Sequence, residues 1–254
     1  MFTGKEGFSR HISQQFNHEL EDIRTQMLAM GGQVERQVSD ALDALLNNNP
    51  DLAEESRRVD RQTNQMELDI ADQCTKMIAI RQPTASDLRL IVAISRAVSD
   101  LERIGDEASR ICQHAIEIAQ SGPAPRGYQE VRHIGMLVSS MVRDILTAFA
   151  RDDLELAYSV AKQDTNVDQE YRSAMRSLVT YMMEDPRSIS SILNVIWVLR
   201  SLERIGDHAR NLSEHLIYQV SGTDVRHQSL KNIKRTLKDA SPDDEAEMKD
   251  QGGS

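Results

Sequence analysis

The word LERIGD stands at residues 101–106, inside "SDLERIGDEASRI", and again unchanged at residues 202–207, inside "SLERIGDHARNL". A six-residue repeat points to a chain of two related halves, each a little over 100 residues in a sequence of 254. Around each copy the apolar residues recur every three or four positions. Leu90, Ile94, Val98, Leu101, Ile104, Ala108, Ile111, Ala115 and Ile118 line up around the first, and Ile192, Val195, Val198, Leu202, Ile205, Ala209, Leu212 and Leu216 around the second. That spacing is one face of a long helix.

Working outward, the same period predicts two helices before each motif helix. In the first half one seam runs from Phe16 through Ile23, Met30 and Val38 to Leu45, and a second from Val59 through Ile70 and Cys74 to Met77. They are broken at Asn47 to Pro50 and at "RQPTASD". In the second half the seams are Val131 to Ile145 and Val160 to Tyr181, with "EDPRSIS" repeating the proline turn. Gly and Pro concentrate in "QSGPAPRG", residues 120–127, which marks the boundary between halves. The expected fold is all-α, two tandem, similar three-helix bundles, each able to bury its own core. The expected divisions are a first bundle at 9–120, a linker at 121–127, a second bundle at 128–222 and a polar, largely disordered tail at 223–254. Within that tail a short helix fits around residues 230–237.

Composition narrows the function. A formal net charge of −10 argues against a general phosphate-backbone binder, so no nucleic-acid partner is expected. Two cysteines, Cys74 and Cys112, lack metal-ligand spacing and suit a reducing compartment. No apolar run approaches the ~20 residues that span a bilayer, and the start has no apolar signal core. A cytoplasmic protein without direct membrane insertion is expected.

On a helix at about 100° per residue, Glu102 and Asp106 point away from the apolar seam, as do Glu203 and Asp207. Like charges at i and i+4 repel by roughly 0.2–0.5 kcal/mol, so the duplicated pair calls for a compensating partner. One is local: Arg103 and Glu107 make an i,i+4 pair. The other is a cation, because hard metal ions take carboxylate oxygens and residues one turn apart can converge on one ion. Mid-helix Gly105 and Gly206 cost about 1 kcal/mol each relative to Ala and suggest close approach of another group. Asp164 and Asp168 repeat the i,i+4 acid spacing on the fifth helix, and Asp60 with Asn64 holds the matching place on the second.

The segments "RQPTASDLR", "SDLERIGDEASRI", "YMMEDPRSI" and "LERIGDHARNLSEHL", in this order on a six-helix plan, closely resemble the PhoU family of bacterial phosphate-uptake regulators. The resemblance runs from about Ser9 to Gly222. It implies metal clusters on the bundle surface held by Glu102 and Asp106 in the first half and Glu203 and Asp207 in the second, with Asp60, Asp164 and Asp168 as partners. It implies a transition metal, iron, manganese or zinc. It also implies repression of the phosphate-starvation response, through contact with the ATPase subunit of the phosphate ABC transporter and with a phosphate-sensing histidine kinase; a homodimer is expected. Because Asn64 stands opposite Asp168 and Arg110 opposite Asn211, the first metal site is expected to be the weaker.

No catalytic constellation is assembled, and the protein is not expected to be an enzyme. The alternatives are a metal-binding helical protein of di-iron or storage type and a purely structural coiled-coil protein. A di-iron site needs Glu-x-x-His pairs on two helices, and only Glu130 with His133 matches. His208, beside Asp207, reads as an ordinary surface histidine, since the first half has Glu107 in its place.

Overall fold

The computed structural model describes residues 4–121, 126–226 and 228–240. They form seven α-helices: α1 Gly4–Leu46, α2 Pro50–Arg81, α3 Ala85–Ser121, α4 Tyr128–Arg151, α5 Leu154–Glu184, α6 Ile189–Ser221 and α7 Leu230–Ala240. The turns between them are set by their own sequences. Asn49 caps α2 by accepting from the Leu52 amide at 3.1 Å, with Pro50 on the first helical turn, where its missing N–H costs nothing. Asp153 caps α5 in the same way through the Leu156 amide at 2.9 Å. Asp185 receives the amide of Arg187 and starts a short 3-10 turn, Pro186–Ser188, so the second proline turn stands where the repeat predicts it. Gly222, at φ 75°, adopts the left-handed conformation that closes α6.

α1, α2 and α3 pack on one another, and so do α4, α5 and α6, which gives the two expected three-helix groups. The expectation that each half buries a core of its own needs correction. α3 against α6 is the most extensive helix pairing in the molecule, α1 also lies on α4, and the buried apolar side chains join into one cluster across both halves. The reason lies in the width of the α3 and α6 seams. Beside Leu101 and Ile104 on α3, Ile91, Ala97 and Cys112 are buried too; on α6, Leu199 and Ile217 join Leu202 and Ile205. A stripe this wide exceeds what two neighbours in a three-helix group can cover, so it is buried from two sides.

The described residues after Gly222 lie against the body as far as Leu237. Val225 is buried, and α7 docks Ile233 and Leu237 against the second group, touching α5 and α6. It therefore occupies the place of the expected short helix and extends it. Gln120 and Ser121, the first residue of the expected 121–127 linker, still belong to α3, and residues 122–125 lie outside the described residues, as does the tail from residue 241.

Candidate functional site

In the first half Glu102 and Asp106 stand one turn apart on α3 and face α2. Gly105 between them makes the groove: a Cβ there would lie 3.3 Å from Oε1 of Gln37 on α1 and 3.7 Å from Oδ1 of Asp60 on α2. The mid-helix glycine thus admits polar side chains from both neighbours, as its cost implied. Gln37 is buried and accepts from Thr63 Oγ at 2.8 Å. Oδ1 of Asp60 and Oδ1 of Asn64 are buried without a hydrogen-bond partner. Burial, then the charge of Asp106, pushes both Asp60 and Glu102 above the ordinary carboxylate range, and Arg103 only partly offsets this at Glu102.

The second half repeats the arrangement. Glu203 and Asp207 stand on α6, Asp164 and Asp168 on α5, and a Cβ on Gly206 would lie 3.8 Å from Oδ1 of Asp164. Asp164 is buried, and Oε2 of Glu203 is buried without a partner. Burial raises Glu203, Asp207 and Asp164, with Asp207 adding at Glu203 and Asp168 at Asp207. At Asp164 the rise persists although Arg210 donates to it at 3.1 Å. All seven nominated carboxylates therefore fall into two grooves, three in the first and four in the second.

Two sequence readings change, and one further charge is found. Glu67 on α2 acts on Glu102 as a neighbouring negative charge while accepting from Ser99 at 3.1 Å. Its signal was its place two turns beyond Asp60 on the same helix. Arg110 does not enter the first groove, because it donates to Glu107; the intruding cation is Arg210, on Asp164 of the second groove. Arg103 ion-pairs with Glu102 and Asp106, both at 3.4 Å, and leaves Glu107 to other partners.

Those partners cross between halves. Buried Glu107 receives Arg204 of α6 at 2.9 Å. Asp100, just before the first motif, accepts from His208 at 2.7 Å, His215 at 2.8 Å and Asn211 at 3.1 Å, all on α6. Burial opposes its ionisation, yet these three bonds hold its carboxyl well below the ordinary range. His208 is thus no ordinary surface residue but part of the seam between the halves. His133, the only histidine of a Glu-x-x-His pair, lies at the surface 3.8 Å from Glu170, which leaves the di-iron reading without a core site among the described residues.

Among the described residues, no three acidic, histidine or cysteine side chains already stand in coordinating positions. The grooves nonetheless suit a hard cation: their donors are carboxylate oxygens, two of them buried and unpartnered, and burial together with neighbouring charge raises the proton affinity of Asp60, Glu102, Asp164, Glu203 and Asp207, which a cation would lower.

Comparison with known proteins agrees with the doubling. The PhoU domain matches twice, over residues 27–115 and 131–216. A phosphate-specific transport system accessory protein PhoU homolog of Pseudomonas putida is 61% identical over 229 residues, 90% of each chain. The accessory protein PhoU of Escherichia coli K12 is 47% identical over 219 residues, 86% of this chain and 90% of that one. Among solved structures, PhoU from Pseudomonas aeruginosa superposes with a TM-score of 0.80 at 60% identity, covering 82% of this chain and 100% of that one. The phosphate transport system regulatory protein PhoU from Streptococcus pneumoniae gives 0.76 at 30% identity, covering 83% and 99%.

Proposed function

Because the chain belongs to the PhoU family, we propose that it is an accessory regulator of phosphate transport, and within that role a cytoplasmic negative regulator of the phosphate-starvation response. The accessory role follows the names of relatives that match along nearly their whole length. The finer reading is an adaptor that contacts the ATPase subunit of the phosphate ABC transporter and a phosphate-sensing histidine kinase, as a homodimer. No helix of the described residues is long and apolar enough to cross a membrane, which fits an association through partner proteins. The role proposed is binding rather than catalysis.

The observation that carries this reading is the pair of motif helices, joined through Asp100 and Glu107 into one body that presents two acidic grooves. A body of this kind can report a change at one partner by its fit to another. A clean deletion should raise alkaline phosphatase output in phosphate-rich medium. Unchanged output would sink the regulatory reading and leave the fold untouched.

Metal binding is the second part of the proposal, favoured by the unpartnered oxygens of Asp60 and Glu203. Glu102, Asp106 and Asp60 would hold an ion in the first groove, and Glu203, Asp207, Asp164 and Asp168 in the second. Bound iron, manganese or zinc would add positive charge to that of the arginines already at these grooves. The chain's own part is to hold the carboxylates together against their repulsion, on rigid helices whose glycines let them approach.

A further inference from the structure

A chain of hydrogen bonds with a single direction leads from α1 to the first groove. Gln33 Nε2 donates to Thr63 Oγ at 2.8 Å, and Thr63 Oγ donates to Gln37 Oε1 at 2.8 Å. Thr63 and Gln37 are both buried, Gln37 with 2% of its surface exposed. There the chain stops, because Nε2 of Gln37 is a buried donor without an acceptor. An amide hydrogen left unpaired away from water is costly, so its surroundings call for an acceptor. The unpaired acceptor at hand is Oδ1 of Asp60. The Gln37 amide, through Oε1, and this oxygen approach one point, 3.3 and 3.7 Å from a Cβ on Gly105, yet they are not bonded to each other.

The second half shows that the fold needs no amide in this place. At the separation of 104 residues that relates Asp60 to Asp164, Gln33, Gln37 and Thr63 correspond to Leu137, Met141 and Val167. Met141 and Val167 are fully buried, and Val167 lies 3.4 Å from a Cβ on Gly206, as Thr63 does from one on Gly105. Apolar side chains thus fill the same space. The second half holds its aspartate by other means: Arg210 donates to Asp164 at 3.1 Å. Where the second half has Arg210, the first has Ser109. Each half therefore offers a donor to the aspartate on the middle helix of its bundle, charged in the second and neutral in the first.

We propose that Gln37 is a positioning residue of the first groove: when an ion draws Asp60, Gln37 Nε2 donates to Asp60 Oδ1 and leaves Oδ2 to the ion. Thr63 takes Oε1, so the free end of the amide is its donor. A hydrogen bond to the outer oxygen of a ligating carboxylate fixes the orientation of the inner one. A neutral donor does this without cancelling the charge that holds the ion, whereas Arg210 orients Asp164 and also competes with an ion for it. The inference rests on the metal reading of the groove.

The test uses the full chain carrying Glu203→Gln and Asp207→Asn, in which the first groove alone keeps its motif carboxylates. Manganese(II), a hard ion suited to carboxylate oxygens, is titrated in by calorimetry. Gln37→Met, the residue of the second half, should weaken binding about 10–100-fold, the range for loss of an outer-shell partner. The metal-free urea midpoint should be unchanged or higher, because an unpaired buried amide leaves with the substitution. Thr63→Val should weaken binding in the same direction and by less. Gln37→Glu retains the oxygen, loses the N–H donor and should weaken binding as well; tighter binding would make Gln37 a ligand and overturn the proposal. Binding unchanged by Gln37→Met, or a metal-free midpoint that falls with it, would overturn the proposal and leave the metal reading standing. No manganese binding before any change at Gln37 would remove both.

Discussion

Arg204, inside the second LERIGD, ion-pairs at 2.9 Å with Glu107, the residue that immediately follows the first. The repeated helices are therefore not two independent copies of one design: each motif contributes to the other's surroundings. Where α3 offers acids at Asp100 and Glu107, α6 offers bases at Arg204, His208 and His215. His208 stands where the first half has Glu107, and an acid kept at that position would face Asp100 across the seam.

The seam gives the first prediction. Glu107 is buried and serves both Arg110 and Arg204, so Glu107→Ala removes two charge-assisted bonds and leaves two arginines that water can still reach. Bonds to charged groups contribute about 1.5–3 kcal/mol, and a loss of about 2 kcal/mol is expected in urea unfolding. Arg110→Ala should cost less, because Arg204 remains. Equal stability of Glu107→Ala and the parent would show that the contact between halves does not depend on this pair.

The core gives the second. Leu202 is fully buried, and Leu202→Asp puts a carboxylate with no partner into the core that the two halves share. Such changes fall in the exceptional range above about 4 kcal/mol. Because the two halves share one core, the variant should lose structure in both and not only in the second. Cooperative unfolding of one half with the other intact, seen by circular dichroism and amide exchange, would contradict the shared core.

What the sequence could and could not disclose follows from the range of each signal. The seams, caps and both proline turns are encoded within a few residues of where they act, so six helices and the pairs Glu102 with Asp106 and Glu203 with Asp207 were legible. Glu67 was legible in principle, two turns from Asp60, but nothing local separates it from a solvated acid. Sequence distance alone pairs Arg103 with Glu107 and puts Arg110 at the first site, whereas the choice of carboxylate depends on which helix lies opposite. Asp100 meeting His208, His215 and Asn211 is a contact between residues more than 100 positions apart, set by the register of α3 on α6. No periodicity within either helix records it.

Opposite pKa shifts predict opposite pH dependences. Asp100 is lowered, so its contribution is present above the ordinary carboxylate range and is lost as pH falls toward its folded value. Glu203 is raised by burial and by Asp207, despite Arg200 at 2.7 Å, so its ionisation costs stability as pH rises through its folded value. Glu203→Gln should therefore raise the urea midpoint at neutral pH, with the gain vanishing in acid where the parent is protonated. Asp100→Asn should do the reverse, lowering the midpoint at neutral pH and converging with the parent only in strong acid. A Glu203→Gln variant less stable than the parent at neutral pH would mean that the Arg200 ion pair outweighs burial.

The same electrostatics bear on which groove takes metal. The second groove has four carboxylates, but Arg210 sits on Asp164, Arg200 on Glu203 and Arg172 on Asp168. The first has Asp60, Glu102 and Asp106, with Glu67 as a further negative charge acting on Glu102, Arg103 as the direct ion-pair partner of the motif pair and Arg110 turned away to Glu107. Dominance of the second site, expected from Asn64 and Arg110, then rests on Asn64 alone, since Arg110 pairs with Glu107. An ion entering there must also compete with the arginine already on buried Asp164. Replacing Glu102 and Asp106 by Gln and Asn should lower bound iron, manganese or zinc at least as much as the same change at Glu203 and Asp207, as measured by elemental mass spectrometry on purified protein. Helicity should be unchanged in both, since each pair lies off the apolar seam and its repulsion leaves with it. Arg210→Gln should raise metal content at the second groove alone. Equal metal in the parent and both double variants would remove the metal role from all the motif carboxylates and leave LERIGD as the element that aligns α3 with α6.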